Sequence, residues 1–276
     1  MVIKEKAYAK INLFLDVIGR RADGFHDVVT VMRSVSLCDD LQLDVSPSDK
    51  REICISSDEP SLECNQSNLI YRSAEKYMSH FGISDKLSIR LIKRIPIGAG
   101  LGGGSSDAAA TLRALNKVYG RASDEQLASI AGEIGSDVSF CLKGGCAICT
   151  GRGEKITPIS YSFYPYIVIA IGQGRVSTPA AYGLLDERYG DFVEYNKKSK
   201  VYHSSRVPLY NIFENVIDLS EVNGIKEIMK KCGAGGVLMS GSGPSVFGGF
   251  NSCIKAFLAQ KALAKQGYSA YICRLK

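Results

Sequence analysis

Between Gly98 and Gly104 the chain places five glycines in seven residues, followed at once by Ser105 and Ser106. Glycine reaches positive φ and lets a backbone approach a ligand closely, so several N–H groups in such a run can converge on phosphate oxygens. The Ala/Leu-rich stretch from Ser105 to Tyr119 reads as a helix, whose positive dipole end favours an anion at the same place. A plain strand-to-helix turn needs one or two glycines, not five. The run therefore reads as a phosphate loop over Pro96, Ile97, Gly98, Ala99, Gly100, Leu101, Gly102, Gly103, Gly104, Ser105 and Ser106. Gly98, Gly100 and Gly103 satisfy G-x-G-x-x-G, yet the acidic residue that a dinucleotide site wants about 20 residues on falls at Asp124-Glu125, inside a helix-opening signature. No Lys-Ser or Lys-Thr follows the last glycine, as a Walker loop requires, and the H-R-D and D-F-G signatures of protein kinases are missing. A third kind of nucleotide loop is implied.

Tyr8, Lys10, Asn12 and Phe14 share one face of an alternating first strand, with Ala9, Ile11, Leu13 and Leu15 on the other. A lysine in so apolar a run must meet water, an acid or an anionic ligand, because an unpaired buried charge is costly. Asn12 beside it favours a polar cavity over an edge lysine reaching solvent. Gly135-Ser136-Asp137-Val138 sets a carboxylate just after a helix stop, at the start of an apolar segment; a turn residue and a base are both open there. Seven glycines from Gly233 to Gly249 surround two short strands, and a tight hairpin at 240–243 and a backbone wall facing a polar ligand fit equally. His26 and Tyr182 are single aromatics. Cys146 and Cys149 sit three apart in a strand, hence on opposite faces, and no metal site is predicted.

The elements that must position these groups read as α+β in both halves. Strands are expected over Lys6–Val17, Val28–Leu37, Leu41–Val45, Ile53–Ile55 and Lys86–Ile95, with a helix from Asn68 to Phe81 capped by Ser67. Ser123 to Gln126 has the capping-box form of a helix start, and strands are expected from Val138 to Thr150. After a boundary near residues 155–163 come a strand at Ile167–Ile171, a helix at Pro179–Tyr189, a polar loop over Gly190–Arg206, one or two helices in Asn211–Lys231, the glycine hairpin, a helix at Ile254–Lys265 and a last strand.

Composition bounds the partners. The charge excess is 34 − 28 = +6 in 276 residues and is scattered, which suits a small anionic ligand and not a dedicated nucleic-acid surface. No run approaches the roughly 20 apolar residues of a spanning helix. The start of the chain has no signal-peptide core, and nine cysteines are an odd number at irregular spacing, so reduced thiols in a cytoplasmic protein are expected.

Taken together, Ala9–Phe14, Pro96–Ser106, Gly135–Asp137 and Gly241–Phe247 resemble, in order and across nearly the whole chain, the GHMP kinase superfamily. The resemblance implies an ATP-dependent small-molecule kinase with Mg2+. It implies an N-terminal domain over 1–157 similar to ribosomal protein S5 domain 2 and a ferredoxin-like α+β sandwich over 158–276, with ATP and substrate meeting in the cleft between them. Lys10–Leu15 and Arg20–His26 match the branch whose substrate is a cytidine diphosphate of methylerythritol, in the non-mevalonate route to isoprenoids. Homoserine- and mevalonate-type branches lack the second piece, and intact Lys10 and Asp137 speak against a silent ligand-binding relative. By the family's pattern Asp137 would be the base for the 2-hydroxyl, and Lys10 would orient it and offset phosphoryl charge. Residues 96–106 would hold the ATP phosphates, with Asn68 and Lys93 near adenine. Asn12 would contact the substrate, His26 would read cytosine, and Phe25 and Tyr182 would flank that base. Ser139 stands where the family usually has proline, which would stiffen the segment after Asp137. A monomer and a weak homodimer both remain open.

Overall fold

The computed structural model describes residues 1–174, 176–190, 207–217 and 220–276. In chain order the elements are β1 (Val2–Arg20), β2 (His26–Ser46), β3 (Glu52–Ser57), α1 (Leu69–His80), β4 (Lys86–Ile92), α2 (Gly103–Tyr119), α3 (Asp124–Ile134), α4 (Ser136–Lys143), β5 (Cys146–Thr150) and β6 (Lys155–Pro158). They continue with β7 (Tyr166–Ile171), α5 (Thr178–Tyr189), β8 (Tyr210–Asn211), a 3₁₀ turn (Ile212–Asn215), α6 (Ser220–Lys231), β9 (Gly236–Met239), β10 (Ser245–Phe250), α7 (Cys253–Lys265) and β11 (Ser269–Cys273). The fold is α+β, as expected. Among the described residues no helix is long and apolar enough to cross a membrane.

The chain divides into two compact units, and the long strands β1 and β2 each give one part to either unit. The first unit comprises Met1–Ala9, Leu37–Ile97 and Gly102–Gly144. Here β4 alternates, with Leu87, Ile89 and Leu91 buried and Ser88 and Arg90 exposed, as a strand covered on one face should. It pairs antiparallel with the second half of β2, Leu41 opposite Leu91, and parallel with β3, Ile55 opposite Ile89. A parallel pair needs a crossover, and α1 provides it. The helix α2 packs against α1 and α4, burying Tyr77, Ala108, Leu112, Leu115 and Phe140. Ser123 and Gln126 form the expected reciprocal capping box at the start of α3, worth about 1 kcal/mol.

The second unit comprises Lys10–Ser36, Gly98–Leu101 and Gly145–Lys276. Its first half of β2 pairs with β5, Thr30 opposite Cys149, and β1 pairs with the short β8, Phe14 opposite Tyr210. A separate sheet runs β11-β7-β10-β9, all antiparallel. With α6 and α7 inserted between its strands, this order is the ferredoxin-like arrangement expected of the second half. Val168, Ala170, Val246 and Phe250 from the sheet bury against Ile225 and Met229 of α6 and Ala256 and Leu263 of α7.

Three local expectations are corrected. Residues 138–143 are helical, not extended: α4 begins after Gly135, whose N–H closes α3 on the Ala131 carbonyl, and ends at Gly144. A short apolar run cannot by itself tell strand from buried helix, and burial of Val138, Phe140 and Cys141 against neighbouring helices decides for the helix. The cap of α1 is Asn68 and not Ser67, because Asn68 Oδ1 accepts the Ile70 N–H at 2.9 Å while the Ser67 hydroxyl is taken by Asn65 and Glu63. The two strands expected within 28–45 are one continuous β2. The polar segment expected as a loop lies, beyond Gly190, outside the described residues.

Candidate active site

Lys10 and Asn12 are both almost fully buried, although β1 is apolar around them. The strand's two-residue period sets them on one face, and Lys10 Nζ donates to Asn12 Oδ1 at 2.8 Å. Asn12 Nδ2 in turn donates to Thr30 Oγ1 at 2.8 Å, and that hydroxyl donates to the Phe14 carbonyl at 2.6 Å. The chain of partners fixes the asparagine amide with its oxygen toward the lysine. The Lys10 N–H donates to the Leu101 carbonyl at 3.0 Å, so the lysine is anchored directly to the glycine run.

The second glycine cluster completes this set. β9 and β10 form the expected hairpin, and Ser240 in its turn accepts the Asn12 N–H at 3.3 Å and donates to the Gly100 carbonyl at 3.1 Å. Gly100 has φ +75°, and a β-carbon there would stand 2.2 Å from the Ser240 carbonyl oxygen. A β-carbon on Gly241 would likewise stand 3.2 Å from the Gly100 carbonyl oxygen, so the two glycine clusters pack backbone on backbone and neither Gly100 nor Gly241 has room for a side chain. Asn211 Nδ2 holds the turn by donating to the Met239 and Gly241 carbonyls, each at 2.8 Å. Sequence reasoning missed Thr30, Ser240 and Asn211 as parts of this network. Only Ser240, inside a glycine cluster already singled out, carried a signal.

Gly98, Gly100 and Gly102 alternate along the loop with φ of 68°, 75° and 68°. Gly102 caps α2 with no side-chain acceptor, and the Ser106 N–H is the one that closes on its carbonyl, at 2.8 Å. The N–H groups of Gly103, Gly104 and Ser105 therefore lie at the helix start, where the backbone offers donors and a positive dipole end to an anion. Ser106 points elsewhere: its hydroxyl donates to the Tyr8 carbonyl at 2.6 Å. Asn68 is engaged at the α1 start, where its Nδ2 donates to the Glu63 carbonyl at 2.7 Å. Gly104 lies there too, a β-carbon on it falling 3.6 Å from Leu69 Cδ1.

Lys93 is held in a buried cluster. Its amine pairs with Asp39 and, at 3.0 Å, with Asp107 Oδ2. Burial alone would pull this amine down, but Asp107 and Asp39 together hold its pKa above the ordinary lysine value. Burial pushes Asp107 up to about 8, against the opposing pull of Lys93. Removing one partner of such a set leaves a buried charge uncompensated, at a cost of about 3–5 kcal/mol. Neither aspartate was singled out from sequence; Asp39 lies in a strand 54 residues before Lys93, with nothing local to mark it.

Asp137 sits half-buried in the first turn of α4. Ser139, two residues on, is buried with its hydroxyl unpaired. His26 is buried, its Nε2 2.7 Å from Asp186 Oδ1, and its ring stacks on Tyr182 with centroids 4.6 Å apart. Tyr182 and Asp186 are one helical turn apart on α5, so one face of that helix fixes the imidazole twice. Phe25 is half-exposed, with the Arg152 guanidinium 5.0 Å from its ring centre. The residues alone gave His26 and Tyr182 as single aromatics, the family resemblance set both about one base, and neither marked Asp186. Cys146 and Cys149 are both buried.

Comparison with known proteins gives the family. The GHMP kinases N terminal domain matches residues 68–145, and the GHMP kinases C terminal domain matches residues 217–269. The chain is 44% identical over 260 residues to the 4-diphosphocytidyl-2-C-methyl-D-erythritol kinase of Bacillus pumilus, covering 90% of this chain and 88% of that one. A crystal structure of 4-(cytidine 5'-diphospho)-2C-methyl-D-erythritol kinase superposes with a TM-score of 0.80 at 34% identity, over 99% of both chains. Homoserine kinase from Cytophaga hutchinsonii shares the fold, with a TM-score of 0.68 at 20% identity over 99% of this chain and 94% of that one. On identity, coverage and fold together, the chain belongs to the 4-diphosphocytidyl-2-C-methyl-D-erythritol kinase family of the GHMP kinases.

Proposed function

We propose that the chain transfers the terminal phosphoryl group of ATP to the 2-hydroxyl of 4-diphosphocytidyl-2-C-methyl-D-erythritol, in the methylerythritol phosphate route to isoprenoids. The observation that carries the reading is the buried Lys10, tied by its own N–H to the glycine run and by its amine to Asn12. Phosphoryl transfer asks the protein for placement and charge stabilisation more than for covalent chemistry. The glycine run and helix start over residues 98–106 hold the ATP phosphates through the N–H groups ahead of Ser106, and Lys10 offsets charge on the group in flight. Asp137 accepts the proton of the attacking hydroxyl. Adenine lies beside Asn68 and Lys93, Asn12 contacts the acceptor next to Lys10, and His26 reads cytosine with Phe25 and Tyr182 around it.

Mg2+ neutralises phosphate charge in such reactions. Among the described residues no group of three or more His, Cys, Asp or Glu could form a cage for it. The ion therefore fits as a passenger on the ATP oxygens, as Mg2+ commonly binds. The two family-model segments fall on either side of residue 157, in keeping with an ATP-binding half over 1–157 and a C-terminal half over 158–276, while the compact units assign Lys10–Ser36, Gly98–Leu101 and the chain from Gly145 onward to the second unit.

The test presents the enzyme with ATP and, in turn, 4-diphosphocytidyl-2-C-methyl-D-erythritol, homoserine and mevalonate, following ADP. Turnover with the first alone is expected. Comparable turnover with either of the others would overturn the substrate assignment.

A further inference from the structure

Asp39 is fully buried in β2 and belongs to none of the motifs that mark the site. Its Oδ1 accepts the N–H groups of Arg94 at 2.5 Å and Ile95 at 2.7 Å, the last two peptides before Pro96 and the glycine run. Its Oδ2 accepts from Lys93, whose amine also donates to Asp107 on α2, one residue beyond the run's final serine. Lys93 and Ile95 also lie against the start of α2: a β-carbon on Gly103 would stand 2.9 Å from Lys93 Nζ and 3.1 Å from Ile95 Cγ2. One carboxylate thus grips the chain leading into the loop directly, and the chain leaving it through Lys93.

A run of five glycines has little of its own to fix its ends, and donors help a phosphoryl group only if they are in place beforehand. We propose that Asp39 is a positioning residue for the phosphate loop, setting through Lys93 and Asp107 the span between residue 95 and α2 and so presetting the N–H groups that receive ATP. This rests on the assignment of residues 96–106 to ATP. A buried ion pair serving stability alone would leave the Michaelis constants where they are; a clamp on the loop moves that for ATP selectively.

Two variants test it. Asp39→Asn removes the charged acceptor, and Asp107→Ala removes the outgoing half of the clamp while leaving Lys93 paired with Asp39. Folding is checked by near-UV circular dichroism, and KM for ATP and for the acceptor are measured alongside titration of wild-type protein with a fluorescent ATP analogue. In each variant that folds, KM for ATP should rise roughly tenfold or more, the effect of a lost hydrogen bond to a charged group, with acceptor KM within about twofold. A folded variant with wild-type KM for ATP, or equal rises in both constants, overturns the clamp. So does loss of fold in both, which would make the cluster purely structural. Failure of wild-type protein to bind the analogue would instead remove the ATP assignment on which the clamp stands.

Discussion

Lys10 Nζ donates to Asn12 Oδ1 across 2.8 Å, from one residue of a strand to the next on the same face. A cation buried in an apolar strand is stable only with such a partner, and the partner also aims it. Lys10→Ala is therefore expected to lower kcat by about 10²–10³, the usual cost of losing a preorganised charge-stabilising donor. Asn12→Ala should lower it by roughly tenfold, since the lysine remains but loses its aim. Steady-state kinetics on the two variants checks this. A change confined to KM in Lys10→Ala would show that the lysine only binds.

Gly100 and Ser240 make a second prediction. With φ +75° and the Ser240 carbonyl 2.2 Å from where a β-carbon would stand, Gly100→Ala must shift both loops. Left-handed strain and overpacking together are expected to cost roughly 2–5 kcal/mol. Thermal unfolding reads the loss, and an unchanged Tm would contradict the packing of the two glycine clusters.

His26 is stacked on Tyr182 and bonded to Asp186, so it presents a fixed ring edge. His26→Ala should raise acceptor KM by about tenfold and weaken inhibition by CMP, with KM for ATP unaltered. Equal CMP inhibition of both proteins would remove His26 from cytosine recognition.

Stability should fall as pH rises from acid through neutrality, by way of Asp107. Burial raises this carboxyl from 3.8 to about 8 in the folded chain. Between about pH 4 and pH 8 the folded protein therefore holds a proton that the unfolded chain has released, so stability declines through that window and levels off above it. Asp40, held low by Lys6 and Arg94, acts in the opposite sense and only as pH falls below the ordinary carboxylate range. Asp107→Asn, which mimics the protonated form, should flatten the slope in a Tm series from pH 5 to pH 9. An identical slope in both proteins would contradict the assignment.

Much of this was legible in the residues. Alternation around Lys10 and the density of glycine at 98–104 announced the strand and the loop because their signals are local: a period of two and a backbone requirement. The hairpin at 240–243 and the capping box at Ser123 were legible for the same reason. The helix at 136–143 was not, since eight residues with a few buried apolar side chains look alike in either conformation. Nor were Asp39, Asp186 or Asn211, whose partners lie 54, 160 and 28 residues away and are brought to them by tertiary pairing alone.

The most direct test follows the phosphorus. Wild-type enzyme and Asp137→Asn are each incubated with ATP, Mg2+ and 4-diphosphocytidyl-2-C-methyl-D-erythritol, and the product is identified by phosphorus NMR. Wild type should yield a new phosphomonoester on the 2-hydroxyl, and Asp137→Asn should form it roughly 10²–10⁴ times more slowly, the usual loss of a general base. A wild-type product phosphorylated elsewhere, or a variant as fast as wild type, would contradict the account.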